Sequence, residues 1–306
     1  MCSLNRIFAP MKHIGYHLLA VFTIAIWGVT FVNTKVLLQH GLQPMEIFLL
    51  RFIVAYLCIW TISPRKVKSE SWQDEGLFFI LGLVGGTIYF VTENTALGLT
   101  YVNNVSFIVC TAPLMTMLLA ILFVKSIKAT IPLVLGSLIA LLGVALVIYN
   151  GHFVLKLNPL GDFLALMASF SWAIYSLVIK KVSRRYSATF ITRKVFFYGL
   201  MTIIPYYIFV PGDRWIFTSE VLTFFTPSIL FNLLFLAVVA SMLCFLLWNW
   251  TIRKLGPVVA TNWVYFNPIT TIIFAAWLLH EPSTPWFLLG TVLILLGMYL
   301  CDRHIA

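Results

Sequence analysis

The sequence LGSLIALLG occupies residues 135–143, and LGTVLILLG occupies residues 289–297. Each stretch has two glycines seven residues apart, a hydroxyl residue after the first glycine and a Leu-Leu pair before the second. The two stretches lie 154 residues apart in a chain of 306. Pro113 precedes the first glycine of one stretch by 23 residues, and Pro268 precedes that of the other by 22. A duplicated membrane protein with many spans is the expected source of this pattern.

The composition places most of the chain in a lipid bilayer. Hydrophobic residues make up 61% and charged residues 10% of the sequence, and the mean hydropathy is +0.99. A soluble globular domain carries about 25% charged residues. The net charge of +10 comes from basic residues in short segments between apolar runs. A nucleic-acid-binding domain would cluster them on one solvated face, so we exclude nucleic acid as a partner.

Ten apolar runs lie between loop signals, and each is long enough to cross a bilayer. In lipid, such runs must satisfy their own backbone hydrogen bonds, which predicts an all-α membrane protein with ten transmembrane helices. The first run exceeds the length of a signal-peptide core, so we interpret it as the first span. The predicted spans are about 14–38, 44–63, 76–99, 102–124, 130–149, 159–180, 190–210, 226–251, 257–279 and 284–301.

The lysines and arginines of the loops predict the orientation. With the N-terminus inside, sixteen of them fall on the inner side, and three, Lys35, Lys156 and Arg214, fall on the outer side. Both termini are therefore predicted to be cytoplasmic. Five spans per half require two inverted five-helix repeats, which we assign to residues 1–150 and 151–306. Inverted repeats place a substrate site near the midplane and support alternating access.

Short motifs in both halves carry a resemblance to a known family. They are Trp27-Gly28, Pro44 with Arg51, Asn94-x-Ala96-Leu97 through Tyr101, the helices of Pro113, Trp172 and Pro268, Glu281-Pro282 and the two glycine pairs. In this order the chain resembles the EamA-type ten-helix carriers of the drug/metabolite transporter superfamily. The resemblance implies transport of small metabolites, often export, through a cavity lined by spans 1, 3, 4, 6, 8 and 9. Glu281 departs from the symmetry, because the first half has Lys125-Ser126 at the matching place.

Polar and aromatic side chains in the expected cavity helices are the candidate substrate-binding residues. Tryptophans and asparagines at mirrored depths do not fit lipid contact, since interfacial aromatics lie at helix ends. Asparagine also forms hydrogen bonds from helix to helix, so a packing role stays open for each. The candidates are Trp27, Asn33, Tyr89, Glu93, Asn94, Trp172, Tyr175, Trp248, Asn249, Asn262, Trp263 and Tyr265.

Glu93 is the one acidic residue clearly inside a predicted span, in span 3, and Arg51 lies about a third of the way into span 2. A buried carboxyl is costly unless it is paired, protonated or hydrated, so Glu93 is a candidate proton carrier. The alternative, which the sequence favours, is a structural ion pair with Lys35 in the outer third of span 1. Arg51 could attract an anionic substrate group. A structural role near the start of span 2 is the favoured interpretation for it.

Prolines and glycines predict the shape of the helices and their packing. Pro113 and Pro268 should kink their helices. The glycine pairs, including Gly82 with Gly86, should permit close helix contact, within the chain or at the subunit interface of a homodimer.

The sequence contains no metalloprotease, hydrolase or P-loop motif, and its five scattered cysteines form no zinc pattern. We therefore predict no enzyme activity, no metal and no cofactor, and we expect a gradient to drive transport. The predicted function is secondary transport, in the export direction, of a small amino-acid-like or amphipathic metabolite, with protons as the leading coupling ion. A lipid-handling flippase is the alternative, and an intramembrane enzyme or scaffold is a weaker one. The expected location is the bacterial inner membrane.

Overall fold

The computed structural model of the protein describes residues 14–64, 68–124, 130–149, 158–209, 226–270, 273 and 285–302. Every regular element in these ranges is helical. We label the helices in chain order as α1 Ile14–Gln39, α2 Pro44–Ile62, α3 Trp72–Leu99, α4 102–123, α5 Ile131–Tyr149, α6 Pro159–Val182, α7 Ala188–Phe209, α8 Pro227–Leu255, α9 257–270 and α10 Pro285–Asp302.

These helices confirm the predicted fold class. By length and composition, six of the described helices are able to cross a membrane, namely α1, α2, α3, α4, α6 and α8. Helices α5 and α10 contain shorter apolar segments. The number of crossings and the cytoplasmic side of both termini stay predictions.

Two predicted helix ends were wrong by several residues. Helix α3 begins at Trp72 instead of residue 76, because the Ser71 hydroxyl accepts the Asp74 backbone N–H at 3.1 Å and caps the first turn. Helix α8 continues to Leu255 instead of residue 251. It ends at Gly256, whose φ of +89° stops the helix in a conformation that favours glycine.

The repeated glycine motifs face each other across one interface between α5 and α10. A Cβ atom added at Gly136 would lie 2.7 Å from the Gly297 carbonyl oxygen, and one added at Gly143 would lie 2.6 Å from that of Gly290. The glycines thus let the two backbones approach closely. Because the pairing runs in opposite directions along the two helices, α5 and α10 are antiparallel. Corresponding helices of inverted repeats are expected to run this way.

Helices α4 and α9 both lose regular α-helical geometry just before a proline. Helix α4 is interrupted by a turn at residues 110–111, and Pro113 lies in the first turn of the next segment. Helix α9 tightens to a 3-10 segment at Trp263–Phe266, two residues before Pro268. Proline has no N–H to donate and its ring clashes with the preceding turn, which explains both interruptions.

Helices α3 and α8 each contain a wider π-helical segment, at Leu83–Ile88 and Phe235–Leu243 respectively. These segments lie in corresponding helices of the two halves. A π-segment disturbs the regular backbone ladder, and such segments occur frequently at functional sites.

A side chain from the opposite half donates a hydrogen bond to a carbonyl in each π-segment. Ser171 of α6 donates its hydroxyl to the Val84 carbonyl oxygen at 2.6 Å. Trp27 of α1 donates its indole N–H to the Ala240 carbonyl oxygen at 2.9 Å. Since α1 and α6 open the two halves, the pair of contacts links the halves in both directions.

Gly82 and Gly86 pack inside the chain and not at a subunit interface. A Cβ atom at Gly82 would lie 2.8 Å from the Gly199 backbone nitrogen, and one at Gly86 would lie 3.3 Å from the Gly199 Cα atom. Because these glycines have no side chains, α3 and α7 can pack closely against each other. A homodimer, if it forms, must use another surface.

Candidate functional site

A cavity of about 30 Å³ lies between the two halves of the described structure. Its lining comes from α1 to α4 on one side and from α6, α8 and α9 on the other. The segments interrupted before the prolines contribute Val109 and Val264. A cavity of this size accommodates about two water molecules, whereas metabolite sites typically measure about 300–1,000 Å³. In the arrangement described, the cavity is therefore too small for a metabolite.

Four of the predicted site residues line this cavity, namely Trp27, Tyr89, Glu93 and Trp172. They come from α1, α3 and α6, three of the helices that the family resemblance implies. The sequence-based set omits other cavity residues, notably Arg51 of α2 and Asn267 of α9.

An aromatic cluster forms one wall of the cavity. The ring centroids of Trp27 and Trp172 lie 5.2 Å apart at an angle of 87°. Tyr175 stacks on Trp172 at 5.0 Å, and Trp248 lies 5.2 Å from Trp27. Tyr175 and Trp248 are buried behind the lining and support it. Edge and stacked contacts of this kind hold the rings in defined positions.

Glu93 contacts a tyrosine and not a cation. The Tyr89 hydroxyl donates to Glu93 Oε1 at 2.6 Å. Glu93 is 7% exposed. Within the described ranges, the ion pairs closer than 4.0 Å join Asp74 to Arg185 and Glu75 to Lys194, so Glu93 is in neither.

The predicted ion pair between Glu93 and Lys35 was wrong. The Lys35 Nζ atom donates to the Leu97 carbonyl oxygen at 2.5 Å, one helical turn beyond Glu93. The carbonyls at a helix C-terminus carry partial negative charge and attract a cation. Lys35 therefore caps the end of α3 and does not pair with Glu93, which lines the cavity.

Arg51 is a second buried charge at the cavity, with 2% of its surface exposed. Its Nε atom donates to the Ser241 hydroxyl at 2.9 Å. The guanidinium carbon lies 4.3 Å from the centre of the Phe90 ring. The favoured sequence interpretation was a purely structural role, although a buried arginine in a span was itself a signal of function.

Two predicted asparagines lie in helix contacts outside the cavity lining. Asn94 donates its amide to the Pro44 carbonyl oxygen at 3.1 Å and so joins α3 to α2. Asn249 accepts from the Tyr175 hydroxyl at 2.7 Å and donates to the Thr192 hydroxyl at 2.8 Å. These bonds bridge separate helices, which is the common alternative role of asparagine in membranes.

The other candidates also lie away from the cavity lining. Asn33 donates to the Asn232 side-chain oxygen at 2.6 Å and joins α1 to α8. Trp263 donates its indole N–H to His17 Nδ1 at 3.1 Å and joins α9 to α1. Two further candidates are buried between helices, Asn262 and Tyr265.

The side chains that line the cavity could contact a ligand through charge, hydrogen bonds and aromatic rings. Glu93 and Arg51 provide one carboxyl and one guanidinium group at the same cavity, beside aromatic rings. No three histidine, cysteine, aspartate or glutamate side chains in the described ranges form a group that could hold a metal ion. Glu281 lies outside the described residues.

Comparisons with known proteins agree with this architecture. A probable amino-acid metabolite efflux pump of Salmonella typhimurium is 28% identical over 297 residues, covering 92% of this chain and 93% of that protein. An uncharacterized transporter of Archaeoglobus fulgidus is 26% identical over 288 residues, covering 93% of this chain and 96% of that protein. One solved crystal structure matches with a TM-score of 0.69 at 16% identity, over 95% of this chain and 97% of the other, and shows the shared fold.

The family comparison matches both halves of the chain. The profile of the EamA-like transporter family covers residues 14–149 and 159–301. The predicted resemblance is thereby confirmed, and the protein is a multi-pass membrane transporter, with bacterial relatives that support the predicted inner-membrane location. The chain belongs to the EamA-like transporter family.

Proposed function

We propose that the protein is a secondary transporter that exports a small amino-acid-like or amphipathic metabolite by alternating access. The two inverted repeats, residues 1–150 and 151–306, rock against each other around the central cavity. Protonation of Glu93 couples the movement to a proton gradient. The observation that carries the proposal is a cavity lined by both halves, with an ionisable carboxyl group that no cation neutralises by direct contact.

The small size of the cavity supports a moving mechanism. At about 30 Å³ it is too small for a metabolite, so this arrangement corresponds to a closed state. The interrupted helices α4 and α9 contribute Val109 and Val264 to the cavity, and the π-segments of α3 and α8 end one and two residues before the lining residues Tyr89 and Phe245. Non-α segments of this kind occur in transporters where helices line a binding site.

Glu93 suits a proton-carrying role because its environment is apolar on most sides. Among the described residues the Tyr89 hydroxyl is its single hydrogen-bond donor, and the Tyr89 ring packs against Phe90 and Trp172. A carboxyl group in such surroundings is sensitive to whether water or substrate reaches it. Movement of the repeats would change that access and so link proton binding to transport.

The substrate class rests on the lining and on one relative. The rings of Trp27, Trp172 and Phe90 suit an apolar body, while Glu93 and Arg51 suit polar ends. The Salmonella relative is named a probable amino-acid metabolite efflux pump. We extend that substrate class to this chain as a proposal.

Transport by the purified protein in liposomes tests the proposal. Amino acids and amphipathic metabolites are supplied with and without a pH gradient, and the wild type should respond to the gradient. Glu93→Gln should lose this response. Glu46→Gln is the matched control, since this buried carboxyl group caps α2 outside the cavity by accepting the Gln43 N–H at 2.9 Å. Normal, gradient-sensitive transport by Glu93→Gln would show that the coupling proposal is wrong.

A further inference from the structure

The hydrogen-bonding capacity of Arg51 is mostly unused in the structure. A guanidinium group has five N–H donors, and within the described residues the Nε donor alone has a partner, the Ser241 hydroxyl. The terminal nitrogens have no hydrogen-bond acceptor there, and the side chain lines the cavity. Leaving such donors unpaired in a buried charge is costly. The cavity is therefore the place where their acceptor belongs.

Glu93 is not that acceptor. Both side chains line the cavity, yet no nitrogen of Arg51 lies within 4.0 Å of a Glu93 oxygen. Contacts to other side chains hold the two groups apart. Ser241 and the Phe90 ring provide these contacts for Arg51. Tyr89 provides one for Glu93.

The guanidinium group is held in a fixed plane before any ligand arrives. The Phe90 ring lies 4.3 Å from the guanidinium carbon, and the Ser241 bond fixes the Nε edge. Neither contact occupies the terminal nitrogens with a hydrogen bond. A planar fork with two parallel N–H donors matches a carboxylate group.

We propose that Arg51 binds an anionic group of the substrate, and that this group is a carboxylate on an apolar body. The inference rests on the proposed function and adds the ligand chemistry and the residue that recognises it. Arg51 and Glu93 are the two charged side chains among the described lining residues. One guanidinium beside one carboxyl group suits a single negative charge, whereas a phosphate dianion would face repulsion from Glu93.

Apolar surface next to Arg51 accounts for the rest of the ligand. Phe90, Trp27 and Phe245 border the same cavity. Rings at these positions exclude water from a bound carboxylate and strengthen its bond to the guanidinium group. A carboxylate without an apolar body would leave this surface unfilled.

Matched pairs of ligands measure the contribution of the carboxylate. Phenylalanine and phenylalaninamide form one pair, 3-phenylpropionate and 3-phenylpropanamide form the second, and leucine and leucinamide form the third. Within each pair the carboxylate is replaced by an uncharged amide of similar size. Binding to the full-length protein in nanodiscs is followed by tryptophan fluorescence, since Trp27 and Trp172 line the cavity.

Wild-type protein should bind the carboxylate member of a pair about 10- to 100-fold more tightly than the amide, as expected for a hydrogen bond to a charged group. In Arg51→Gln this ratio should fall to about one, mainly through weaker binding of the carboxylate. Arg51→Lys keeps the charge without the planar fork and should give an intermediate ratio. Ser241→Ala removes the Nε partner, keeps the guanidinium group, and should keep a ratio above that of Arg51→Gln.

Several outcomes would overturn the inference. If the wild type binds acids and amides with equal affinity, the inference is wrong. This comparison needs no variant and therefore holds even if Arg51→Gln fails to fold. A ratio unchanged in Arg51→Gln, or binding of none of the acids, would also overturn the inference. Loss of the pH response in Glu93→Gln is a separate result. Carboxylate recognition that persists without pH-coupled transport would reject the coupling proposal and keep this one.

Discussion

The Cys110 sulfur lies 3.5 Å from the Val264 carbonyl oxygen, and the two residues are 154 positions apart. This separation equals the shift between the two glycine motifs. In the same helices the shift from Pro113 to Pro268 is 155 residues, so the contact joins positions that correspond to within one residue, at the places where α4 and α9 depart from regular α-helix. Since Val109 and Val264 line the cavity, this contact between the halves lies beside the candidate substrate site.

The glycine interface between α5 and α10 predicts a sharp response to one methyl group. Gly143→Ala would place a Cβ atom 2.6 Å from the Gly290 carbonyl oxygen, so the backbones must separate. We expect the free energy of unfolding to fall by about 1–3 kcal/mol. Thermal or denaturant unfolding in detergent measures the change.

Gly98→Ala is the matched control for Gly143→Ala. A Cβ atom at Gly98, in α3, has no heavy atom within 4 Å to meet. Alanine favours a helix over glycine by about 1 kcal/mol, so this variant should be unchanged or slightly more stable. Equal losses in both variants would contradict the packing role of the motif.

The hydrogen bond from Ser171 to the π-segment of α3 predicts a second stability difference. Ser171→Ala leaves the Val84 carbonyl without its donor from α6. We expect a loss of about 1 kcal/mol and a change in transport rate, because α3 and α6 both line the cavity. Unfolding in detergent and transport in liposomes give the two readouts.

Ser176→Ala tests whether the effect of Ser171→Ala comes from the contact between helices. Ser176 lies in the same helix and is fully buried, but its hydroxyl donates to the Trp172 carbonyl of its own helix. Ser176→Ala also removes one buried hydroxyl group, but it breaks no hydrogen bond between helices. Stability should therefore change less than in Ser171→Ala, and the reverse order would contradict the assignment.

The orientation of the chain is open to a direct test. Sixteen of the loop lysines and arginines predict cytoplasmic termini. A green fluorescent protein fused after residue 306 should fluoresce, and alkaline phosphatase fused there should be inactive. Alkaline phosphatase inserted beside Lys156 should be active, since that segment is predicted to lie outside. The opposite pattern at both positions would invert the orientation.

Much of the fold could be predicted from the sequence because hydrophobicity acts over whole segments. Apolar runs and the residues that end them determine where a helix lies, and errors stayed within about four residues at the ends of α3 and α8. The twin glycine motifs also indicated close packing. Their partner helix could not be predicted, because an inverted repeat permits but does not require corresponding helices to pack against each other.

The side-chain contacts of the site were harder to predict. Lys35 and Glu93 were predicted to have similar depths, yet Lys35 donates to the Leu97 carbonyl oxygen, one helical turn beyond Glu93. The sequence contains no signal that a backbone carbonyl would be the partner of Lys35. Asn94 and Asn249 have mirrored positions, but both lie in helix contacts. Depth is readable from hydropathy, whereas the direction of a side chain depends on how helices pack.

The face-to-face glycines of α5 and α10 also bear on how the two halves diverge after duplication. Each motif is the steric environment of the other, so a larger residue at Gly136 collides with the backbone at Gly297. A larger residue in one copy is therefore excluded by the backbone of the other copy, so neither motif can change by itself. Positions that have different neighbours in the two halves lack this mutual constraint, so their residues can differ. This mutual constraint explains why the same glycine pattern is recognisable in both copies.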